Sequence, residues 1–159
     1  MKRLPRDVSV QLFRTKPDGA RFLMLRRIPG RGGFWQGVSG APLPGESDAE
    51  AAVREVREET GFEIGDSLVP LGVEYAHALP PEEADRWEQV YGAGITSVSV
   101  VTFGARAPDG RDPVLDPAEH DAFAWLGLEE AEALLDWPIE RDALAGRRLA
   151  LRTLAARMS

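Results

Sequence analysis

The beginning of the chain alternates apolar and polar residues in the manner of a β-hairpin. Apolar residues alternate with Ser9 and Gln11 over residues 8–12, which is typical of a strand with one buried and one polar face. A Pro-Asp-Gly turn at 17–19 and a fully apolar run at 22–25 follow. The pattern therefore predicts two strands joined by a tight turn.

A helix with defined ends is predicted over residues 47–60, after a short strand at 34–39. Ser47 and Glu50 have the spacing of a capping box, and Gly61 suits the position just past the last turn. The residues at helical spacing for a buried stripe are Ala49, Ala52, Val53 and Val56.

The second half of the chain predicts three more strands and two more helices. Strands are expected at 68–79, 95–107 and 122–126, with a loop or short helix at 80–94. Helices are expected at 128–136 and 139–158, and the arginines of the last helix, Arg147 among them, are predicted to form a solvated face. The order of elements favours an α/β fold with a mixed sheet and helices packed on its faces.

Length and composition narrow the class of protein. The 159 residues, 43% of them apolar, suit a single domain over 1–159 with a core of ordinary size. The absence of cysteine excludes disulfides, thiolate metal sites and a cysteine nucleophile. Without a long apolar run or an apolar leader, we expect a cytoplasmic protein with no membrane partner.

The net charge of −7 bears on the kind of ligand. A chain with an acidic excess is a poor general binder of nucleic-acid polymers, which require a basic face. Small phosphorylated ligands remain compatible with it, because a divalent metal held by carboxylates can bridge protein and phosphate.

An acidic cluster on the predicted helix is the first candidate for chemistry. Glu55 and Glu59 are four residues apart and share one helical face, with Glu58 beside it. Like charges at this spacing destabilise a bare helix by a few tenths of a kcal/mol per pair, and Mg²⁺ or Mn²⁺ would relieve that repulsion. The alternative is a solvated acidic helix partly compensated by Arg54 and Arg57.

The spacing of residues around this helix resembles the Nudix box. The matching residues are Gly40, Glu46, Arg54, Glu55, Val56, Glu58, Glu59, Gly61 and Phe62. Phe62 stands where an aliphatic residue is usual. The resemblance implies a Nudix fold, an α/β/α sandwich, and a hydrolase that uses Mg²⁺ or Mn²⁺ to cleave nucleoside diphosphates linked to another group.

The same resemblance implies a role for each residue of the site. The implied metal ligands are Gly40, Glu55, Glu58, Glu59 and Glu119. Glu55, Glu58 and Glu59 are also the implied catalytic residues, and Glu58 either joins the ligands or holds the attacking water. The implied structural residues are Glu46, Arg54 and Gly61. A solvated loop acid is the alternative for Glu119.

Stretches outside the box resemble one branch, the dihydroneopterin triphosphate pyrophosphatases. The similar stretches are 34–40, 91–96 and Glu119-His120 followed by Trp125-Leu126. The implied reaction splits a triphosphate into a monophosphate and pyrophosphate. One alternative is a hydrolase of general or oxidised nucleoside triphosphates, or of another nucleoside diphosphate derivative. The alternative from another class is a non-catalytic domain that senses a nucleotide.

Several residues are candidates for contact with such a substrate. They are two arginines and three aromatic residues: Arg26, Arg27, Trp35, Trp87 and Tyr91. Arginine suits phosphate, and an aromatic ring can stack on a heterocycle, although surface charge and core packing are the respective alternatives. His77 and His120 are given an ordinary polar role. The oligomeric state stays open between monomer and homodimer.

Overall fold

The computed structural model describes residues 2–135 and 141–158. Its strands are β1 (Arg6–Lys16), β2 (Gly19–Arg27), β3 (Trp35–Gln36), β4 (Val38–Gly40), β5 (Val69–Ala78), β6 (Ser97–Arg106) and β7 (His120–Leu126). Its helices are α1 (Asp48–Thr60), α2 (Ala84–Tyr91), α3 (Leu128–Leu134) and α4 (Arg141–Arg157). The predicted end of one helix at 136 and start of the last at 139 lie outside the described residues.

The elements follow the predicted order, with one difference. The stretch at 80–94, expected as a loop or short helix, contains the short helix α2. The strand predicted at 34–39 is two strands, because β3 pairs with β2 whereas β4 pairs with β1. Gly37 separates them, and a Cβ atom there would lie 2.7 Å from the Val10 carbonyl oxygen. Only glycine permits this close crossing.

The strands form one mixed sheet of seven. The main order is β3-β2-β1-β6-β5, with β4 beside β1 and β7 beside β2. β1 and β6 run parallel, whereas the other pairs are antiparallel. The antiparallel pairing of Val8 with Gly40 places the N-terminal half of β1 next to β4, the strand that leads into the acidic helix.

Helices cover both faces of the sheet, as the pattern predicted. Along β2, Leu23 and Leu25 pack on the side of α1, whereas Phe22 and Met24 pack on the side of α3 and α4. Consecutive residues of a strand point to opposite faces, so the fully apolar run at 22–25 reflects burial on both. The arrangement is an α/β/α sandwich.

α1 is anchored at both ends and along one face. Ser47 accepts a hydrogen bond from the Glu50 N–H at 3.1 Å, and Glu50 accepts one from the Ser47 N–H at 3.0 Å. Ala52 and Val56 are buried as predicted, but Ala49 is exposed and Ala51 is buried in its place. The prediction for Ala49 is wrong because the buried face of α1 is turned toward Ala51 and, about two turns further along, toward Glu59.

Candidate active site

The end of β4 forms a cradle for the first box carboxylate. A Cβ atom on Gly40 would overlap the carboxylate of Glu55. Gly40 therefore lets the Glu55 side chain from α1 reach the backbone at the edge of the sheet. The contact brings the Gly40 backbone and the Glu55 carboxylate into one site.

Arg54 connects the carboxylates of the box. Its Nε and Nη2 donate to Glu46 at 2.9 and 3.0 Å, in a two-point pairing. Its Nη1 donates to Glu55 Oε1 at 2.9 Å and to Glu58 Oε2 at 3.1 Å. A further bond joins Nη2 to the Ala41 carbonyl at 3.0 Å. One guanidinium thus fixes the side chains of three glutamates and the loop after β4.

Glu59 is the buried member of the cluster. Its Oε1 has no hydrogen-bond partner among the described residues, and its carboxyl group contacts that of Glu55. Burial raises the pKa of Glu59 far above its usual range, and the neighbouring Glu55 raises this pKa further. Burial also raises the pKa of Glu55. Two such carboxylates need a cation between them if both are to be charged.

Glu119 and His120, at the start of β7, meet Glu59 from the other side. One ligand atom from each of the three residues lies within 4.8 Å of the others, and His120 Nε2 is 3.8 Å from Glu59 Oε1. Burial, with Arg27 nearby, lowers the pKa of His120 to about 4, so its imidazole is neutral. The sequence predicts only an ordinary polar role for His120, although its place next to Glu119 and before a strand could have indicated a part in this cluster.

The donor set fits a hard divalent cation. Carboxylate oxygens at Glu55, Glu59 and Glu119 and the backbone carbonyl of Gly40 are the ligand types that Mg²⁺ and Mn²⁺ prefer. The unpartnered Glu59 Oε1 supplies a buried acceptor that a cation would satisfy. Glu58 differs from the other carboxylates, because 56% of its side chain is exposed and it is held by Arg54.

A cavity of about 440 Å³ opens over this cluster, and we call it the outer cavity. Glu55, Glu59 and Glu119 line one part of it, and Arg27 and Arg31 line another. Arg31, which the sequence did not single out, donates through Nε to the Ala118 carbonyl at 3.1 Å. The outer cavity thus combines acidic ligands for a metal with basic groups suited to phosphate.

Of the substrate candidates, only Arg27, Trp87 and Tyr91 line the outer cavity. The Trp87 and Tyr91 rings of α2 lie 6.3 Å apart. Arg26 instead pairs with Asp121 at 2.7 Å on the surface, because it points to the other side of β2 from Arg27. Trp35 packs against the core beneath α3 and α4. The structure therefore places Arg26 and Trp35 outside the outer cavity, in agreement with the surface and core alternatives given for them.

Comparison with known proteins assigns the chain to a family. The model of the NUDIX domain matches residues 4–146. The chain belongs to the Nudix hydrolase family. No described helix combines the length and apolarity that a membrane span requires.

Named Nudix relatives differ in what they act on. Dihydroneopterin triphosphate diphosphatase of Escherichia coli is 31% identical over 139 residues, which cover 87% of this chain and 90% of that protein. Bis(5'-nucleosyl)-tetraphosphatase of Mus musculus is 36% identical over 110 residues, covering 69% and 66%. The solved E. coli dihydroneopterin triphosphate pyrophosphohydrolase superimposes with a TM-score of 0.75 and 25% identity over 99% of both chains.

Another relative is much longer than this chain. Octanoyltransferase of Myxococcus xanthus is 40% identical over 126 residues, which are 79% of this chain but 32% of that protein. The chain therefore spans about a third of that relative, and just under two thirds of the mouse enzyme is matched. A match to a third of a protein does not carry that protein's activity to this chain.

A second, smaller space of about 200 Å³ continues inward from the Nudix site, and we call it the inner cavity. It lies between β1, β5 and α4, and its polar lining includes Asp7, Ser9, Gln11, Gln36, Tyr75 and Arg147. Five residues line both cavities: Asp7, Arg27, Gln36, Ser39 and His77. The inner cavity therefore extends the Nudix site below the sheet face that α4 covers.

Arg147 departs from the solvated face predicted for the last helix. Its guanidinium lines the inner cavity, and its Nη1 is buried. The neighbouring Gly146 explains the approach of α4, because a Cβ atom there would overlap the ring of Tyr75. The close contact brings the following arginine over the sheet instead of leaving it in solvent.

Proposed function

We propose that the chain is a metal-dependent pyrophosphohydrolase that splits the triphosphate of a heterocyclic compound into a monophosphate and pyrophosphate. Its preferred substrate in this proposal is dihydroneopterin triphosphate. The observation that carries the proposal is the outer cavity, where the acidic cluster and Arg27 share one space. A metal-bound triphosphate requires both, since the metal needs oxygen ligands and the phosphates need positive partners.

The charge and position of each residue in the site determine its role in this proposal. Glu55, Glu59, Glu119 and the Gly40 carbonyl would hold Mg²⁺ or Mn²⁺, which neutralises phosphate charge and lowers the pKa of water when bound. Arg27 and Arg31 bind the phosphates. The exposed Glu58, held in place by Arg54, orients the attacking water.

The bond changes in the reaction are simple. The water oxygen loses a proton to solvent and forms a bond to phosphorus, the bridging phosphorus–oxygen bond breaks, and the pyrophosphate leaves with the electron pair of that bond. Such a transfer depends mainly on alignment and on stabilising the spreading negative charge. Groups that are already fixed, such as the carboxylates bonded to Arg54, contribute alignment without reorganising during the reaction.

Similarity to named relatives supports the choice of substrate. The E. coli relative that covers nearly all of this chain is a dihydroneopterin triphosphate diphosphatase. The Trp87 and Tyr91 rings in the outer cavity suit a flat heterocycle. The mouse tetraphosphatase supports a second candidate, a dinucleoside tetraphosphate, over a smaller part of the chain.

Release of pyrophosphate and phosphate from a panel of substrates tests the proposal. The panel contains dihydroneopterin triphosphate, the common dNTPs, oxidised GTP, dinucleoside polyphosphates and nucleotide sugars, each with Mg²⁺ and with Mn²⁺. We expect pyrophosphate to be released fastest from the pterin, and Glu59→Gln to remove the activity. Faster turnover of a dinucleoside tetraphosphate would replace the substrate. Binding without any turnover would favour a nucleotide-sensing domain and overturn the proposal.

A further inference from the structure

One of the two covered faces of β1 carries a row of polar side chains. Val8, Val10 and Leu12 occupy the face toward α1 and belong to the core. The opposite face carries Asp7, Ser9 and Gln11, since alternate residues share a face. α4 covers this second face, and Ser9 and Gln11 are only 8% and 5% exposed.

Polar groups in such a position require partners. Burial of an unpaired polar group costs a few kcal/mol, so a covered sheet face is normally apolar. Within the row, Gln11 Nε2 donates to Ser9 Oγ at 3.2 Å. The carboxamide of Gln36, 5% exposed, adds a further polar group to the same space. The inner cavity is therefore lined for a polar ligand rather than for an aliphatic one.

Asp7 lies where the two cavities meet and is the anionic member of the row. Its nearest described ion pair, to Arg3 Nη2, is 3.6 Å long, which is beyond an ordinary hydrogen bond. Burial raises the pKa of Asp7 to about 6. Among the described residues no closer donor faces this carboxylate, 29% of whose side chain is exposed, and a ligand with two adjacent N–H donors would supply a close pair.

We propose that Asp7 selects substrates whose ring carries an N–H next to an amino group, as guanine and pterin rings do. This inference rests on the proposed function and names the substrate class of that same site. A carboxylate accepts two parallel hydrogen bonds from such an edge. Adenine presents a ring acceptor beside its amino group, and uracil flanks its N–H with carbonyl groups, so both set an acceptor against the carboxylate.

The position of Asp7 agrees with the direction in which a substrate must extend. A ring held at the junction enters the inner cavity, where Gln36 can donate to its carbonyl oxygen. Its triphosphate then passes Arg27, which lines both cavities, and extends into the outer cavity toward Arg31 and the acidic cluster. Ring recognition and phosphate chemistry therefore use different walls of one continuous site.

Comparison of GTP, ITP and ATP tests the inference, because ITP lacks only the amino group of GTP. We expect the wild-type kcat/KM to be higher for GTP than for ITP and ATP by roughly 10- to 100-fold, as hydrogen bonds to a charged group allow. Asp7→Asn should lower kcat/KM for GTP by about tenfold or more, mainly through KM, and leave ATP within about twofold. The ratio between substrates is the readout, since a merely structural role would lower all three alike.

Binding of GMP and AMP to metal-free protein gives a readout that does not depend on hydrolysis. Isothermal titration should show GMP binding weakened by about tenfold in Asp7→Asn, with AMP binding unchanged. Asp109→Asn, on an exposed turn, is the matched control and should change neither nucleotide. The Tm of each variant verifies that it is folded.

The possible results separate this inference from the proposed function. Wild-type protein that hydrolyses triphosphates without preferring GTP over ITP would overturn the role of Asp7 and leave the hydrolase intact. A parallel loss for GTP and ATP in Asp7→Asn would also overturn it. Wild-type protein that hydrolyses none of the substrates would overturn the proposed function, while the GMP and AMP titrations would still decide the role of Asp7.

Discussion

The contact between Gly40 and Glu55 requires glycine at position 40. In Gly40→Ala, the new methyl group would overlap the Glu55 carboxylate, which also accepts a hydrogen bond from Arg54. Because the overlapping atoms end a side chain, we expect Glu55 to shift while the fold remains. A shift of about 1 Å can lower activity by about 100-fold. Steady-state kinetics with the best substrate of the panel measures this loss.

Gly127→Ala is the matched control for that change. A Cβ atom at Gly127 meets nothing within 4 Å, so its activity should match that of the wild type. Full activity in Gly40→Ala would mean that the position of Glu55 seen here is not the one that functions.

Arg54 and Arg57 provide a second comparison on one helix. Arg54 makes five hydrogen bonds that join Glu46, Glu55, Glu58 and the Ala41 carbonyl. Lysine cannot reproduce this planar set of donors. We expect Arg54→Lys to lower kcat or metal affinity by roughly 10- to 100-fold, as the loss of groups that orient metal ligands does.

Arg57→Lys tests whether the effect belongs to the site. Arg57 pairs with Glu63 on the surface, with 53% and 65% of the two side chains exposed. Such a pair contributes less than about 1 kcal/mol, and kinetics should be unchanged. Equal losses in the two lysine variants would indicate a general effect on α1.

At the scale of single residues, the sequence predicts contacts between residues that are close in the chain. It misses the burial of residues that are enclosed by an element distant in the chain. The box glutamates share one helix, so their spacing alone brings them together. Ser9, Gln11 and Arg147 are polar residues, for which the sequence favours exposure to solvent. In the structure, the close approach of α4 at Gly146 encloses them. Arg31 and His120 likewise reach the cluster through folding and not through spacing.

Among the elements, α1 carries most of the site, and its N-terminal cap contributes to its stability. Ser47→Ala removes the side-chain acceptor for the Glu50 N–H and should lower the free energy of unfolding by about 1 kcal/mol. The folded geometry of the carboxylates does not depend on this bond, so kcat should stay the same. Urea unfolding and steady-state kinetics measure the two quantities.

Ser99→Ala, at an exposed position of β6, should change the free energy of unfolding by less than about 0.5 kcal/mol. A fall in kcat for Ser47→Ala at unchanged stability would contradict the purely structural role of the cap.

The boundaries of helices and strands show which sequence signals are sufficient to predict them. The start and end of α1 are encoded locally by Ser47, Glu50 and Gly61, so the sequence predicts them closely. The division of 34–39 into β3 and β4 is not local. It arises because the two halves pair with different strands, β2 and β1, and the pairing of strands distant in sequence leaves no periodic signal of its own.

For the whole molecule, folding brings carboxylates together at a cost that depends on pH. Burial raises the pKa of Glu59 above that of the unfolded chain, so folding without metal favours the protonated group. Its contribution to stability is complete below the ordinary pKa of a glutamate and declines as the pH rises toward the raised pKa. The metal-free protein should therefore lose stability from this group between about pH 5 and pH 8.

A divalent cation should replace the proton, and Glu59→Gln should remove the need for either. At pH 8 without metal, we expect Glu59→Gln to have a higher Tm than the wild type, because no buried negative charge remains. Mg²⁺ at about 100 times its Kd should add about 2.7 kcal/mol to the wild type, a rise of roughly 5–10 °C in Tm, and much less to the variant. Glu63→Gln, on the exposed surface, should keep the full rise. Thermal unfolding with EDTA and with Mg²⁺ measures these shifts, and an equal rise in Glu59→Gln and wild type would place the cation elsewhere.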